Sequence, residues 1–259
     1  MFQGSAQQRF RDDDGAADVR ATAALRAFAA AEGSEHAALT ALAGIRLLVP
    51  VVAALVPDEA APGGAASDGP ASGGAAADGP DARHPAGGEE ASEMALPTLV
   101  GRDGRRAIPA FTSLDALARW QPSARPIPAA ATLVWRAAVE DSCAVVIDVA
   151  GPVPLAVEGA RLAALASGTP VPLPHEDPDL RDAAAAVVAE SAAAAGLSLD
   201  RGGFAIRPGV QGGDLLIELA APAGLDQAAA EAFAARVGSA LLERLGPRLR
   251  RGIAIALAP

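Results

Sequence analysis

The strongest constraint on how this chain folds is a long internal stretch with almost nothing to bury. Residues 57–93 contain no Val, Ile, Leu, Phe, Trp, Met or Cys and consist mostly of Ala, Gly, Pro, Asp and Ser. Such a composition gains too little from burial to offset the entropy lost on ordering. We therefore predict a disordered insert here. Its eight acidic residues and one arginine carry −7 of the net charge of −10.

The apolar run just before the insert indicates that the insert interrupts one domain. Residues 46–56 read RLLVPVVAALV, which predicts a strand, with Pro50 favouring an edge position or a bulge. Only two short predicted helices, at residues 18–31 and 35–43, precede this strand. Because one strand cannot form a sheet alone, we expect it to pair with strands beyond residue 93.

Beyond the insert the sequence predicts a hairpin and then a helix. Strands at residues 95–101 and 105–111 flank an Asp-Gly pair, which tolerates the positive φ of a tight turn. Residues 112–115, Thr-Ser-Leu-Asp, have the spacing of a capping box, which predicts a helix that runs to Trp120. The rest of this lobe is predicted as a helix, two strands and a short helix: residues 128–140, 143–149, 153–157 and a helix that ends at residue 166.

A second lobe is predicted after a proline-rich boundary at residues 168–178. Asp177 and Pro178 suit the N-cap and first turn of a helix that runs to residue 195. The glycine-rich run 209–213 leads into a strand, which favours a hairpin turn over a phosphate-binding cradle, because such cradles open a helix. The elements after the first helix are predicted as strand, strand, helix and strand: near residues 197–208, 214–220, 227–245 and 253–257.

These patterns together predict an α+β protein with two small lobes. The N-terminal lobe contains a mixed sheet with helices, interrupted by the disordered insert, and the C-terminal lobe is an αββαβ two-layer unit. The predicted boundaries are a disordered tail at residues 1–17, the N-terminal lobe at 18–168, a linker at 169–176 and the C-terminal lobe at 177–259.

Charge and composition exclude several functional classes. An acidic chain lacks the concentrated basic face that nucleic acids require. One short basic cluster is interpreted as a solvated helix end, and its members are Arg244, Arg248, Arg250 and Arg251. The absence of Lys and Tyr excludes lysine Schiff bases, the lysine of a phosphate-binding loop and tyrosine general acids.

No segment predicts export or membrane insertion. Residues 1–17 lack the apolar core of a signal peptide. The most apolar run, residues 47–56, is about half the length that spans a bilayer. Cys143 is the only cysteine and cannot form an internal disulfide. We therefore expect a cytoplasmic protein that binds neither membranes nor nucleic acid.

No constellation of residues predicts catalysis, a metal or a cofactor. Cys143 begins an apolar strand and is interpreted as an inert core residue, with a reactive thiol as the alternative. Residues 175–179, His-Glu-Asp-Pro-Asp, favour helix capping, with a metal or proton site as the alternative. The sequence contains no GxSxG, HExxH or CxxC motif. The histidines do not pair at metal-ligand spacing and are His36, His84 and His175.

The candidate contact site is a group of arginines followed by two aromatic residues. Arg102, Arg105 and Arg106 lie around the predicted hairpin, and Phe111 and Trp120 follow. Arginine forks beside an aromatic ring can hold a carboxylate, either of an amino acid or of an acidic segment of a partner. The alternative is an exposed turn that leads into core aromatics.

Four segments of the chain carry a resemblance to a known family: DDDGAAD at residues 12–18, RLLVPVVAAL at 46–55, LPTLVGRDGRRAIPAFTSLDALARW at 96–120 and DVAGPVPLAVEGARLAAL at 148–165. They resemble the SseB family of enhanced serine sensitivity proteins, in its actinobacterial form. The likeness covers most of residues 10–168, and residues 180–257 are similar to the family's C-terminal domain. The resemblance implies the two-lobe fold and supplies no reaction, cofactor or substrate.

Two functions of different kinds follow as hypotheses. The first is a non-enzymatic cytoplasmic interaction or regulatory protein with a protein partner. The alternative is a small-molecule binder, for an amino acid or a carboxylate, that uses Arg102, Arg105 and Arg106. An enzyme ranks third, because no catalytic motif occurs.

Overall fold

The computed structural model describes Phe10 and residues 13–55, 92–197, 203–221 and 224–258. Within these residues, seven helices and ten strands form the predicted α+β fold. The helices are α1 (Val19–Ala29), α2 (Glu35–Leu42), α3 (Leu114–Trp120), α4 (Ala131–Glu140), α5 (Gly159–Ser167), α6 (Pro178–Ala194) and α7 (Gln227–Leu245). The strands are β1 (Arg46–Leu55), β2 (Ser92–Ala95), β3 (Leu99–Val100), β4 (Arg106–Ala110), β5 (Arg125–Ala130), β6 (Ala144–Ile147), β7 (Leu155–Val157), β8 (Phe204–Pro208), β9 (Leu215–Ala220) and β10 (Ile253–Ala258). None of these helices has the length and apolar character needed to cross a membrane.

The predicted insert lies almost entirely outside the described residues. Positions 57–91 are not among them, so disorder there stays a prediction. Strand β2 includes Ser92 and Glu93, so the predicted end of the insert at residue 93 lies two residues too far along the chain. β2 pairs antiparallel with β1, which confirms that β1 finds a partner beyond the insert.

Strand β1 lies in the middle of its sheet, so the edge position suggested by Pro50 is wrong. The strand order is β2-β1-β5, in which β5 pairs with residues 46–51 of β1 and β2 pairs with residues 52–55. Leu48 exchanges both backbone hydrogen bonds with Phe111, and the alternation of an antiparallel ladder then directs the nitrogen of Pro50 away from β5. Pro50 therefore removes no hydrogen bond from the β1–β5 ladder.

Strand β5 is absent from the predicted elements because its prolines argue against a central strand. Pro126 lies opposite Pro50, and Pro128 lies opposite Leu48. Neither pair exchanges hydrogen bonds between β1 and β5. Both prolines are tolerated for that reason. The helix predicted from residue 128 therefore begins later, with α4.

The second sheet has the order β3-β4-β6-β7 and positions the candidate site. Of the strand predicted at residues 95–101, only β3 forms. β4 and β6 run parallel, with Ala110 opposite Ile147, whereas the other pairs are antiparallel. The carboxyl ends of parallel neighbours meet at one edge of a sheet. Thr112 and Asp148 follow these two ends and come together there.

The described residues form separate hydrophobic cores in the two lobes. The main core of the N-terminal lobe packs α1, α2, α4 and α5 around Trp135 and Phe28. Phe111 and Trp120 belong to a smaller cluster with Leu48. In the C-terminal lobe, α6 and α7 pack on the β10-β9-β8 sheet, in the predicted αββαβ order.

Several local predictions for the C-terminal lobe are confirmed. Asp177 caps α6 by accepting a hydrogen bond from the Asp179 N–H at 2.9 Å, and Pro178 lies in the first turn. Helix α7 has the predicted bounds of residues 227–245. The glycine-rich run 209–213 joins the antiparallel strands β8 and β9 as a hairpin turn.

Four charged side chains link the two lobes. Arg248 follows α7, donates to Oε2 of Glu35 at 3.1 Å and pairs with Asp177. Arg161 of α5 pairs with the other oxygen of Glu35. We call these four residues the interlobe cluster. The interpretation of the basic C-terminal residues as a solvated helix end is therefore wrong for Arg248, since its guanidinium is held between two buried carboxylates.

Candidate functional site

A cavity of about 440 Å³ opens at the carboxyl edge of β4 and β6. Its walls come from the loop before α1, from α1 itself, from the start of α3 and from the loop after β6. Leu25 and Val153 supply apolar surface. We call it the carboxyl-edge pocket. Cavities of this size hold small molecules, and the carboxyl edge of parallel strands is a common place for them.

Asp148 is the buried carboxylate of this pocket. Its exposed fraction is 7%. The backbone N–H of Thr112 donates to Oδ1 at 2.8 Å, and the Thr112 hydroxyl donates to Oδ2 at 2.7 Å. Among the described residues, no cationic side chain lies within ion-pair distance of it. Burial raises the pKa of Asp148 and outweighs the opposing effects of the Thr112 hydrogen bonds and the charge of Arg119.

The backbone at Asp148 is in the left-handed region, with φ of 48°. For most residues with a Cβ this conformation costs roughly 1 kcal/mol, although Asp and Asn adopt it more readily than others. The chain turns immediately after β6, and the Gly151 N–H closes the turn by donating to the Asp148 carbonyl at 2.7 Å. The turn places the carboxylate over Thr112. Strained residues of this kind cluster at functional sites.

The loop before α1 is held against the pocket by contacts with β1 and α3. Arg46, the first residue of β1, donates to the Thr112 carbonyl at 3.0 Å and pairs with Asp13. The Gly15 carbonyl accepts a hydrogen bond from the Leu114 N–H at 2.9 Å. The described part of the predicted tail thus forms one wall of the pocket. Contacts within the protein therefore hold this wall in place.

The lining of the pocket carries charges of both signs. Arg26 on α1 and Arg119 on α3 are exposed, and neither has an ion-pair partner among the described residues. Asp14 and Asp115 add exposed carboxylates to the same lining. The pocket can therefore receive a small molecule that is itself charged or strongly polar.

The structure brings together only part of the site predicted from the sequence. Phe111 and Trp120 pack with their ring centroids 5.4 Å apart, and Phe111 is fully buried. Arg102, Arg105 and Arg106 are exposed at the opposite end of β4. The aromatic residues thus serve the core beside the carboxyl-edge pocket, and the arginines lie apart from them.

Arg105 and Arg106 border a shallow groove with a volume of about 510 Å³, and Arg102 is not part of its lining. The groove lies at the amino edge of β4 and β6, and we call it the hairpin groove; Arg105, Arg106, Val139 and Cys143 line it. Arg105 is already bound to Glu158, at 2.7 Å, and to the Asp of the turn. Arg106 remains exposed, with no ion-pair partner among the residues that the structure describes.

The other residues considered for chemistry take structural places. Cys143 is buried, with its sulfur 3.3 Å from a backbone carbonyl. The cluster at residues 175–179 caps two helices, as predicted, because Asp177 caps α6 and Asp179 accepts the Ala160 N–H of α5 at 2.7 Å. His84 lies outside the described residues. Within the described ranges, no three His, Cys, Asp or Glu side chains come together as metal ligands.

Sequence reasoning missed both central residues of the pocket. It assigned Thr112 to the helix cap, whereas Ser113 is the N-cap and accepts the Ala116 N–H at 3.1 Å. It assigned Asp148 to the interior of a strand that ends one residue earlier. The available signal is an acidic residue between an apolar strand and a Gly-Pro turn.

Comparison with known proteins supports the resemblance seen in the sequence. The family model described as SseB protein N-terminal domain matches residues 22–164, more than half of the chain's 259 residues. Thr112 and Asp148 both lie inside the matched region. Searches of the curated proteins and of the solved structures gave no significant match. The chain therefore belongs to the SseB family.

Proposed function

We propose that this protein is a non-enzymatic regulatory protein that binds a small molecule, an amino acid or a carboxylate, in the carboxyl-edge pocket. One observation carries the proposal. Asp148 is buried and strained, and it has no cationic partner among the described residues, yet it opens onto a cavity of about 440 Å³.

The arrangement at Asp148 is costly for the fold alone. Burying a carboxylate without a cation is unfavourable, and the left-handed backbone adds a further cost, which is smaller for Asp than for most residues. A sequence under selection for stability alone has cheaper residues for this position, since glycine relieves the backbone strain. Departures of this kind from the locally favourable residue are expected where a protein binds something.

The lining of the pocket supports binding rather than covalent chemistry. Within the part of the chain that the structure describes, no histidine or cysteine lines it. Ser113, which does, accepts a hydrogen bond from a backbone N–H as a helix cap. A nucleophile needs an adjacent base within hydrogen-bond reach, and the side chain of Ser113 has no carboxylate as a hydrogen-bond partner among the described residues.

A thermal-shift screen with amino acids and small carboxylates tests the proposal. A ligand at a hundred times its Kd stabilises a folded protein by about 2.7 kcal/mol. We expect at least one compound to raise the Tm of the full-length protein, and we expect Asp148→Asn to reduce the shift that an amino acid gives. Arg106→Gln in the hairpin groove is the matched control and should leave the shift intact. If no compound raises the Tm, the proposal is wrong.

Binding of a protein partner is the second candidate, and the hairpin groove favours it. Arg106 is exposed in the lining of this groove, Arg102 is exposed in the turn before β4, and Val139 in the lining is 46% exposed. Exposed cations next to an apolar side chain suit an acidic segment of another protein.

Affinity capture of the tagged protein from a related bacterial lysate tests the second candidate. We expect a stoichiometric partner that is lost with Arg102→Glu combined with Arg106→Glu and retained with Arg236→Glu on the surface of α7. Deletion of residues 57–93 in the same experiment asks whether the insert takes part. Equal recovery from the double variant and wild type would remove the hairpin groove from consideration.

The resemblance also supports two proposals about the whole chain. Residues 180–257 correspond to the family's C-terminal domain in its actinobacterial form, because they form an αββαβ unit with its own core. The protein works in the cytoplasm, which the single buried cysteine supports. Fractionation of the source bacterium should recover the protein with soluble cytoplasmic markers. Recovery outside the cell would refute the proposed cytoplasmic location.

A further inference from the structure

The charges of the carboxyl-edge pocket indicate more about the ligand than its size, and the inference below rests on the proposed function. Asp148 receives one hydrogen bond on each oxygen, both from Thr112. An ionised carboxylate offers about four acceptor positions. Two positions therefore remain for a ligand. A donor that also carries positive charge offsets the burial of the carboxylate best, because it supplies the missing counter-charge.

The two arginines of the pocket are suited to the opposite charge. Arg26 and Arg119 come from different helices, and neither is engaged in an ion pair among the described residues. A guanidinium presents a planar fork of donors that matches a carboxylate. Arg119 and Asp148 line the same pocket, and the charge of Arg119 opposes the rise in the pKa of that carboxyl.

The surface between these charges is apolar. Leu25, Pro152 and Val153 belong to the same lining, and Leu25 and Val153 are themselves buried. They suit a short carbon skeleton. A simple carboxylate would leave Asp148 without a cation, and a simple amine would leave both arginines without an anion.

We infer that the ligand is a zwitterion of amino-acid size, with its ammonium group on Asp148 and its carboxylate on Arg26 and Arg119. Within the alternatives of amino acid and carboxylate, the geometry thus selects the amino acid. A divalent metal does not compete for the same role, because no three ligating side chains come together in the described residues.

Isothermal titration calorimetry of the full-length protein tests this assignment. The twenty L-amino acids are titrated first, and the tightest binder is then compared with its des-amino acid and its decarboxylated amine. We expect each analogue to bind at least about tenfold more weakly, since each loses one charged contact.

Two variants assign the ends of the ligand. Asp148→Asn should weaken binding of the amino acid and of the amine but leave binding of the des-amino acid unchanged. Arg119→Gln should weaken binding of the amino acid and of the des-amino acid but leave binding of the amine unchanged. Asn retains the Thr112 contacts, because its amide accepts one hydrogen bond and donates the other, so this variant should fold. Arg236→Gln, exposed on α7, is the control and should change nothing.

The outcomes separate this inference from the proposed function. If the des-amino acid binds as tightly as the amino acid, the zwitterion assignment is wrong while small-molecule binding stands. If no amino acid binds but a carboxylate does, the zwitterion assignment is again wrong and small-molecule binding again stands. If no amino acid or carboxylate binds, both the inference and the proposed function are wrong.

Discussion

The carboxyl-edge pocket and the interlobe cluster bury the same kind of group in opposite ways. Asp148 is 7% exposed, and Glu35 and Asp177 are 5% and 1% exposed. The two carboxylates of the interlobe cluster are held by Arg161 and Arg248. Asp148 is held only by the neutral donors of Thr112.

The space beside the carboxylates differs as well. The cavity at the interlobe cluster has a volume of only about 10 Å³, less than a ligand needs, whereas the carboxyl-edge pocket has about 440 Å³. Burial alone raises the pKa of Asp148, while Glu35 and Asp177 raise the pKa of Arg248 despite its burial. A buried carboxylate with its cation supports the fold, whereas one without a cation, beside a cavity, is where we propose that a ligand binds.

The largest expected effect is the loss of Arg248. Arg248→Ala leaves Glu35 with Arg161 alone and Asp177 with no ion-pair partner among the described residues, and the breaking of a buried pair costs about 3–5 kcal/mol. Urea unfolding should report this loss. Arg244→Ala is the control, because the Arg244–Glu190 pair is exposed and such pairs contribute about 1 kcal/mol or less. Similar losses for the two variants would show that the interlobe cluster does not hold the lobes together.

A smaller loss is expected at Thr112. Thr112→Val keeps the size of the side chain and removes the hydroxyl that donates to Asp148, which costs roughly 2 kcal/mol for a bond to a charged acceptor. Thr112→Ser retains the hydroxyl and should lose much less. If valine and serine are equally tolerated, the hydroxyl does not hold the carboxylate.

The pH dependence of stability should give the smallest and most specific effect. The pKa of Asp148 is raised by burial, so the folded protein binds the Asp148 proton more tightly than the unfolded chain does. Stability from this group is present at low pH and is lost as pH rises through the folded pKa. Asp148→Asn should therefore gain stability relative to wild type as pH rises from 3.8, the ordinary value of the Asp pKa, through the folded pKa of Asp148. A gain that shrinks with rising pH would mean that the pKa is lowered instead.

Elements with a strong local pattern could be predicted from the sequence. Helix α7 has the predicted bounds because Phe233, Val237, Leu241 and Leu245 recur at a spacing of four and form its buried stripe. Asp177 and Pro178 likewise begin α6 where the capping pattern placed them. In both cases the stabilising interactions lie within a few residues of one another.

The features that the sequence does not predict depend on pairings between distant residues. Strand β5 is tolerated only because its prolines lie opposite the positions of β1 that exchange no hydrogen bonds on that side. Thr112 and Asp148 meet because β4 and β6 are parallel neighbours. Arg248 binds Glu35, which is 213 residues earlier. No local pattern specifies these neighbours, so the pocket and the interlobe cluster both escape sequence reasoning.

The contrast between the carboxylates of the carboxyl-edge pocket and of the interlobe cluster is tested most directly by the unfolding free energies of two variants. Asp148→Asn and Asp177→Asn are measured side by side at neutral pH. We predict that Asp148→Asn is at least as stable as wild type, because the substitution removes a buried negative charge that has no cationic partner among the described residues. We predict that Asp177→Asn loses about 3 kcal/mol of unfolding free energy, because the substitution breaks the buried ion pair with Arg248. If Asp148→Asn loses as much as Asp177→Asn, Asp148 is a structural residue like the others and the contrast between the two kinds of buried carboxylate is wrong.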